Sequence, residues 1–227
     1  MAAESTRHPA QEDLTKRWAD TVRDARGGED GSGPSPLPYA ANLLARWAEP
    51  RRRYHTTDHL LAVLDHVDVL EAHGERAEDP AAVRLAAWFH DAVYLPDRSE
   101  NEERSARLAE RALAELGVGA DRTAEVARLV RLTVSHDPAA DDTNGAVLCD
   151  ADLAVLASPP DAYAVYTAAV REEYAFVPDD AFRAGRAAVL RQLLDLPMLF
   201  RTPYGQRVWA DPARRNMGDE LATLTQA

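Results

Sequence analysis

His55 and His59 stand four residues apart in the stretch RRRYHTTDHLLAVLDH, directly after three arginines, and that spacing puts two side chains on one face of a helix. Three other places carry the same kind of donor. His90 and Asp91 close the apolar run of AAWFHDAVY, His136 and Asp137 lie in LTVSHDPAADD, and Asp150 and Asp152 flank Ala151 in CDADLAVL. Imidazole nitrogens and carboxylate oxygens are the donors a divalent cation takes when thiolates are absent. The chain has one cysteine, Cys149, so any metal must be held by nitrogen and oxygen. Each pair alone fits a hydrogen-bonded histidine beside a capping aspartate. What favours a metal is the supply of donors from separate segments, most of them beside apolar residues. Asp150 and Asp152 are two residues apart and cannot both point squarely at one ion from a helix; one ligates while the other caps the helix or orients a ligand histidine.

The elements that must position these donors are helices. Alanine, leucine, arginine and glutamate dominate and runs of β-branched residues are few, so the chain is expected to be all-α. Leu14, Trp18 and Val22 mark one face of a first helix over about residues 10–26. GGEDGSGPSPLP follows, a glycine, serine and proline segment that reads as a flexible loop within the domain. Helices are then expected over about 38–48, 56–74, 79–92, 99–115, 121–136, 146–156, 160–174, 179–195 and 205–223, broken by proline, glycine and aspartate. Such a string of helices with short loops folds as one compact bundle. No repeat or heptad run is present.

Composition narrows the function. The 227 residues are 46% hydrophobic, enough for one well-buried core. A net charge of -12 argues against a nucleic-acid partner. The sequence shows neither a signal peptide nor an apolar run that could span a bilayer, so a soluble, cytoplasmic protein without membrane attachment is expected.

The ordered set YHTTDHLLAVL, FHDAVY, NEERSA, TVSHD, DADLAVL, GRAAVLRQLL and ARRNMGDEL resembles the HD-domain superfamily of metal-dependent phosphohydrolases, within it a bacterial branch known mostly from sequence. The resemblance runs from about 38 to 223. It implies a helical catalytic domain over 38–223 of the HD type, preceded by a helix and flexible loop in 1–37. It also implies one or two divalent ions per chain, of Mn, Mg, Co, Ni, Zn or Fe. Carried over by position, His59 becomes the first ligand, His90 and Asp91 the signature pair, and Asp152 or Asp150 the last ligand, with Asp152 favoured. His136 matches a histidine that in some relatives approaches a second metal. YHTTDH also resembles the opening of the cyclic-nucleotide phosphodiesterase domain, which makes His55 the general acid; many relatives have asparagine where this chain has Thr56.

The reaction so implied is hydrolysis of a small phosphoester, a nucleotide or related phosphometabolite. Asp91 helps to orient the attacking water. Arg52 resembles an arginine of this branch and would hold phosphate through its fork of donors, or else pair with Glu102. Asn101 and Glu102 are placed to contact the attacking water, Glu102 being equally a first-turn carboxylate. His66, seven residues after His59, reads as structural, His8 and His73 as solvated, and Trp18, Trp47 and Trp209 as core or helix-docking residues. Tyr54 packs beside the site or in the core. Two rival readings are a di-iron oxygenase of the same superfamily and a non-catalytic nucleotide-binding or regulatory protein. A homodimer is the default assembly.

Overall fold

Helix starts are set by residues that satisfy first-turn N–H groups. Asp79 accepts from Ala82 N at 3.0 Å just ahead of Pro80, and Asp142 accepts from Gly145 N at 2.8 Å. The structure, a computed structural model, describes residues 8–28 and 33–226. Among these residues all regular structure is helical. The elements are α1 (Gln11–Ala25), α2 (Leu37–Trp47), α3 (Thr57–Ala72), α4 (Pro80–Phe89), α5 (Asn101–Glu115), α6 (Ala120–Leu132), α7 (Thr143–Leu153), α8 (Pro160–Glu173), α9 (Asp179–Asp195) and α10 (Ala210–Thr225). A 3-10 turn at Ala154–Ala157 follows α7, and a π turn at Gly205–Trp209 leads into α10. None of the described helices is long and apolar enough to cross a membrane.

Two hydrophobic clusters organise these helices. The larger is built by α1 to α7 around Trp18, Trp47, Trp88 and Phe89, all fully buried. Leu14, Trp18 and Val22 of α1 lie in it, and Trp18 meets Trp88 edge-on at 5.2 Å, so the first helix is part of the main core. Each buried aliphatic side chain of that stripe contributes about 1.5–3 kcal/mol. The smaller cluster gathers Leu156, Leu190, Phe200 and Met217 from the 3-10 turn, α9, α10 and the segment between the last two. Asp150 ties the clusters together. From α7 its Oδ1 accepts from Arg201 N at 2.7 Å, and its Oδ2 accepts from Thr202 N at 2.8 Å and Thr202 Oγ1 at 2.6 Å.

Three helix ends differ from the sequence expectation, each for a local reason. α4 stops at Phe89 instead of running to 92, because the carbonyls of Asp91 and Ala92 turn to the Arg52 guanidinium. α6 stops at Leu132 instead of 136: the chain turns there, and His136 N donates to Leu132 O at 3.0 Å. α7 starts at Thr143, ahead of the expected 146, where Asp142 supplies the cap. The positive φ of Gly27 and Gly28, 91° and 76°, ends α1. The centre of the segment expected to be a flexible loop, 29–32, lies outside the described residues. Its far end is held by Trp18 Nε1, which donates to Pro36 O at 2.9 Å.

Candidate metal centre

Three helices of the larger cluster deliver the donors. His59 comes from the first turn of α3, His90 from the residue that ends α4, and Asp152 from the last turn of α7. α7 packs against both α3 and α4, which is how residues so distant in sequence meet. One ligand atom from each lies within 4.8 Å of the others. His59 Nε2 is 3.2 Å from His90 Nε2 and 3.2 Å from Asp152 Oδ1, and His90 Nε2 is 3.6 Å from that same oxygen. Both histidines are buried, and Trp47 packs against both rings at 6.1 and 5.4 Å.

These residues fit a divalent cation. Metal–ligand bonds of about 2.0–2.1 Å at tetrahedral or octahedral angles place neighbouring donors about 2.8–3.4 Å apart, close to the spacing found. His90 Nδ1 lies 2.9 Å from Ala87 O, so it carries the proton, and Nε2 turns a lone pair to the cluster. Burial lowers the pKa of His59, which favours the neutral, ligating form. Burial would raise the Asp152 carboxyl, but His90, His136 and His59 hold it well below the usual carboxylate range.

Asp91 sits beside this set, its Oδ2 3.3 Å from His90 Nε2 and 3.8 Å from His55 Nε2. His136 approaches the other oxygen of Asp152 at 2.8 Å, so it braces the carboxylate from outside the triad. Among the described residues His136 is the one non-glycine with positive φ, 50°. Backbone strain of this kind, about 1–3 kcal/mol, collects at functional sites. His55 is held by a residue without a sequence signal. Glu173, at the end of α8, takes His55 Nδ1 at 2.5 Å on Oε1 and accepts the backbone N–H groups of Arg53, Tyr54 and His55 at 2.7, 3.0 and 3.1 Å on Oε2. This fixes the His55 ring with Nε2 toward Asp91, stacked on Tyr94 at 4.2 Å. Burial works against a charged His55, but Asp91 and the Glu173 bond outweigh it and raise its pKa above the ordinary histidine value.

Four sequence expectations are corrected here. Asp150 spends both oxygens on Arg201 and Thr202 and is not in the donor cluster. The Arg52 side chain is fully buried and does not face a substrate. Its Nη1 donates to His55 O at 3.0 Å and Asp91 O at 2.8 Å, and its guanidinium lies over Trp47 and Tyr94. It is a clamp that joins the two segments bearing His55 and Asp91. Asn101 braces the loop before α5: its Oδ1 accepts from Leu95 N at 3.0 Å and its Nδ2 donates to Leu95 O and Arg98 O. His8 pairs with Asp58 at 2.9 Å instead of standing free in water. His66 is structural, with Nδ1 against Ala151 O and its ring against Trp209.

Two of the donors, His90 and Asp152, line a cavity of about 350 Å³, within the size range of small-molecule pockets. Glu102, His55, Asp91, His136 and Asp152 line one part of it. Tyr166 of α8 and Arg186, Val189 and Leu193 of α9 line another. Tyr54 lies within 4.8 Å of both the His55 and His59 rings and 4.6 Å from Tyr166, so it bridges the walls. Comparison of the chain with protein-family models, curated proteins and solved structures gave no match.

Proposed function

We propose that this protein is a metal-dependent phosphohydrolase of the HD type, acting on a small phosphorylated molecule. The observation that carries the reading is the convergence of His59, His90 and Asp152 beside a cavity that is lined by His90, Asp152 and the Glu173-bound His55. A divalent cation bound there supplies Lewis-acid stabilisation of the phosphoryl group and a water of lowered pKa. The chain's own residues account for the proton movements. Asp91 is placed to accept a proton from the attacking water as the new P–O bond forms. His55 Nε2 gives a proton to the departing oxygen as the old P–O bond breaks. Glu173 stabilises the charged imidazole until then and keeps its Nε2 aimed at the cavity. Asp91 adds negative charge beside the ligands and Glu102 elsewhere on the cavity wall, so they favour cation binding and confine the phosphoryl group to the metal side. Tyr54 and Tyr94 pack against the histidines and limit water around them.

The test is phosphate release from a panel of phosphomonoesters by protein loaded with Mn, Mg, Co or Ni. Metal-dependent release is expected. Replacing His55 with glutamine should slow alkyl esters by about 10² to 10⁴ and slow nitrophenyl phosphate much less, since that leaving group needs little protonation. Absence of release from every ester with every ion would defeat the proposal.

A further inference from the structure

With Arg52 locked in the core, the phosphoryl group needs another cation, and α9 brings one to the cavity. Arg186 lines it and, among the described residues, is the one lysine or arginine that does. Its side chain is 10% exposed. One edge of the guanidinium is already occupied: Nε donates to Glu220 Oε1 at 2.7 Å, and Nη2 donates to Glu220 Oε2 at 3.0 Å and Tyr166 Oη at 3.1 Å. The group also lies over the Tyr166 ring at 5.2 Å. Glu220 is occupied in turn, since its Oε2 accepts from Tyr163 Oη as well.

Nη1 is different. Its two N–H donors have no partner among the described residues. The sealed polar side-chain atoms left without partners are Arg52 Nε, Trp88 Nε1 and Arg201 Nε, so Nη1 is not closed inside the protein, and the side chain that bears it lines the cavity. A guanidinium fixed on one edge has lost its rotamer freedom before a ligand arrives, and its remaining donors point in a set direction. Its two free N–H groups remain available to an oxygen acceptor that enters the cavity in place of water. Apart from the His55 imidazole, which the mechanism assigns to the leaving group, the other charged side chains of the cavity, Asp91, Asp152 and Glu102, are acidic. An anion entering beside them needs a fixed positive group besides the metal.

We propose that Arg186 is the oxyanion-binding residue of this cavity: Nη1 donates to a phosphoryl oxygen of the substrate, with Glu220 and Tyr166 as the residues that aim it. This rests on the phosphohydrolase reading. It places the phosphoryl group between the histidine–aspartate cluster and α9, and leaves Val189 and Leu193, one and two turns along the helix, to meet the body of the substrate.

Inorganic phosphate binding to the Mn-loaded protein, measured by calorimetry, tests it with metal content recorded alongside. Arg186→Gln should weaken phosphate about 10- to 100-fold, the worth of hydrogen bonds to a charged group, while metal content stays that of the wild type. Because that variant leaves the Glu220 charge without its guanidinium and can unfold the chain, Arg186→Gln/Glu220→Gln removes both charges and should show the same loss. Arg186→Lys, which keeps charge without the fork, should fall between. Wild-type phosphate affinity in the double variant overturns the inference, whether losses then appear only for particular leaving groups or not at all. Hydrolysis by the wild type would still stand in that event. A wild-type protein that neither binds phosphate nor cleaves any ester instead removes the functional reading, and this inference with it.

Discussion

Replacing Glu173 tests the link between the fold and the proton donor proposed above, His55. The carboxylate accepts four hydrogen bonds, three from backbone N–H groups of residues 53 to 55 and one from His55 Nδ1. In Glu173→Ala those donors lose their acceptor in a site that water enters poorly, and breaking a buried pair of this kind costs about 3–5 kcal/mol. For a chain of this length that is a melting temperature roughly 6–20 °C lower. Glu173→Gln keeps the shape but loses the charge, and should cost about 1–3 kcal/mol. It should also lose much of the catalytic contribution of His55 while retaining metal, since Glu173 does not touch the cluster. The pH dependence has a definite sign. Burial opposes ionisation of Glu173, but the His55 and backbone bonds overcome it and lower its pKa from 4.5 to about 2. Its stabilisation is therefore complete above pH 4.5 and is lost as pH falls toward 2. Thermal melts of wild type and Glu173→Gln across that range should converge on acidification. A variant that melts and turns over as the wild type does, or a gap that stays constant with pH, would refute the reasoning.

Three further outcomes follow from individual contacts. His136→Ala should weaken metal binding about 10- to 100-fold, the usual effect of removing a residue that orients a ligand; unchanged affinity by metal titration would remove His136 from that role. Gly205→Ala should destabilise by about 1–3 kcal/mol, because its Cβ would lie 2.5 Å from Asp150 Oδ2 and 2.9 Å from Phe200 Cβ; denaturant unfolding reads this, and metal content should not change. Arg52→Lys should destabilise by about 2–4 kcal/mol, since one ammonium cannot serve the carbonyls of His55, Asp91 and Ala92 together. Turnover should fall with stability in that variant, while phosphate affinity holds; a selective loss of phosphate affinity would return Arg52 to the substrate.

The sequence made the helices legible wherever apolar spacing was strict. The face of Leu14, Trp18 and Val22 is fully buried, as its spacing implies. Helix ends were less legible, because they depend on distant partners such as Arg52, which draws the carbonyls after His90 out of α4. Among the donors, His59, His90 and Asp152 were found from residue type, apolar neighbours and motif order, and the structure brings them together. The same reasoning could not separate a charged side chain facing the cavity from one sealed in the core. Arg52 and Asp150 carry the right chemistry in the right stretches, yet both are consumed by backbone groups. Glu173 gave no local signal, and Arg186 entered only within the GRAAVLRQLL stretch of the resemblance, with no role of its own. Only the packing of α8 and α9 over the residue 53–55 turn and the cavity sets these side chains apart.

The central claim, that His59, His90 and Asp152 hold a divalent cation, is tested most directly by metal content after dialysis in wild type, Asp152→Asn and Asp150→Asn. The wild type and Asp150→Asn should retain a bound ion, because Asp150 faces Arg201 and Thr202. Asp152→Asn should lose it, since its carboxylate joins both ligand histidines. Metal retained equally by Asp152→Asn and the wild type would contradict the claim.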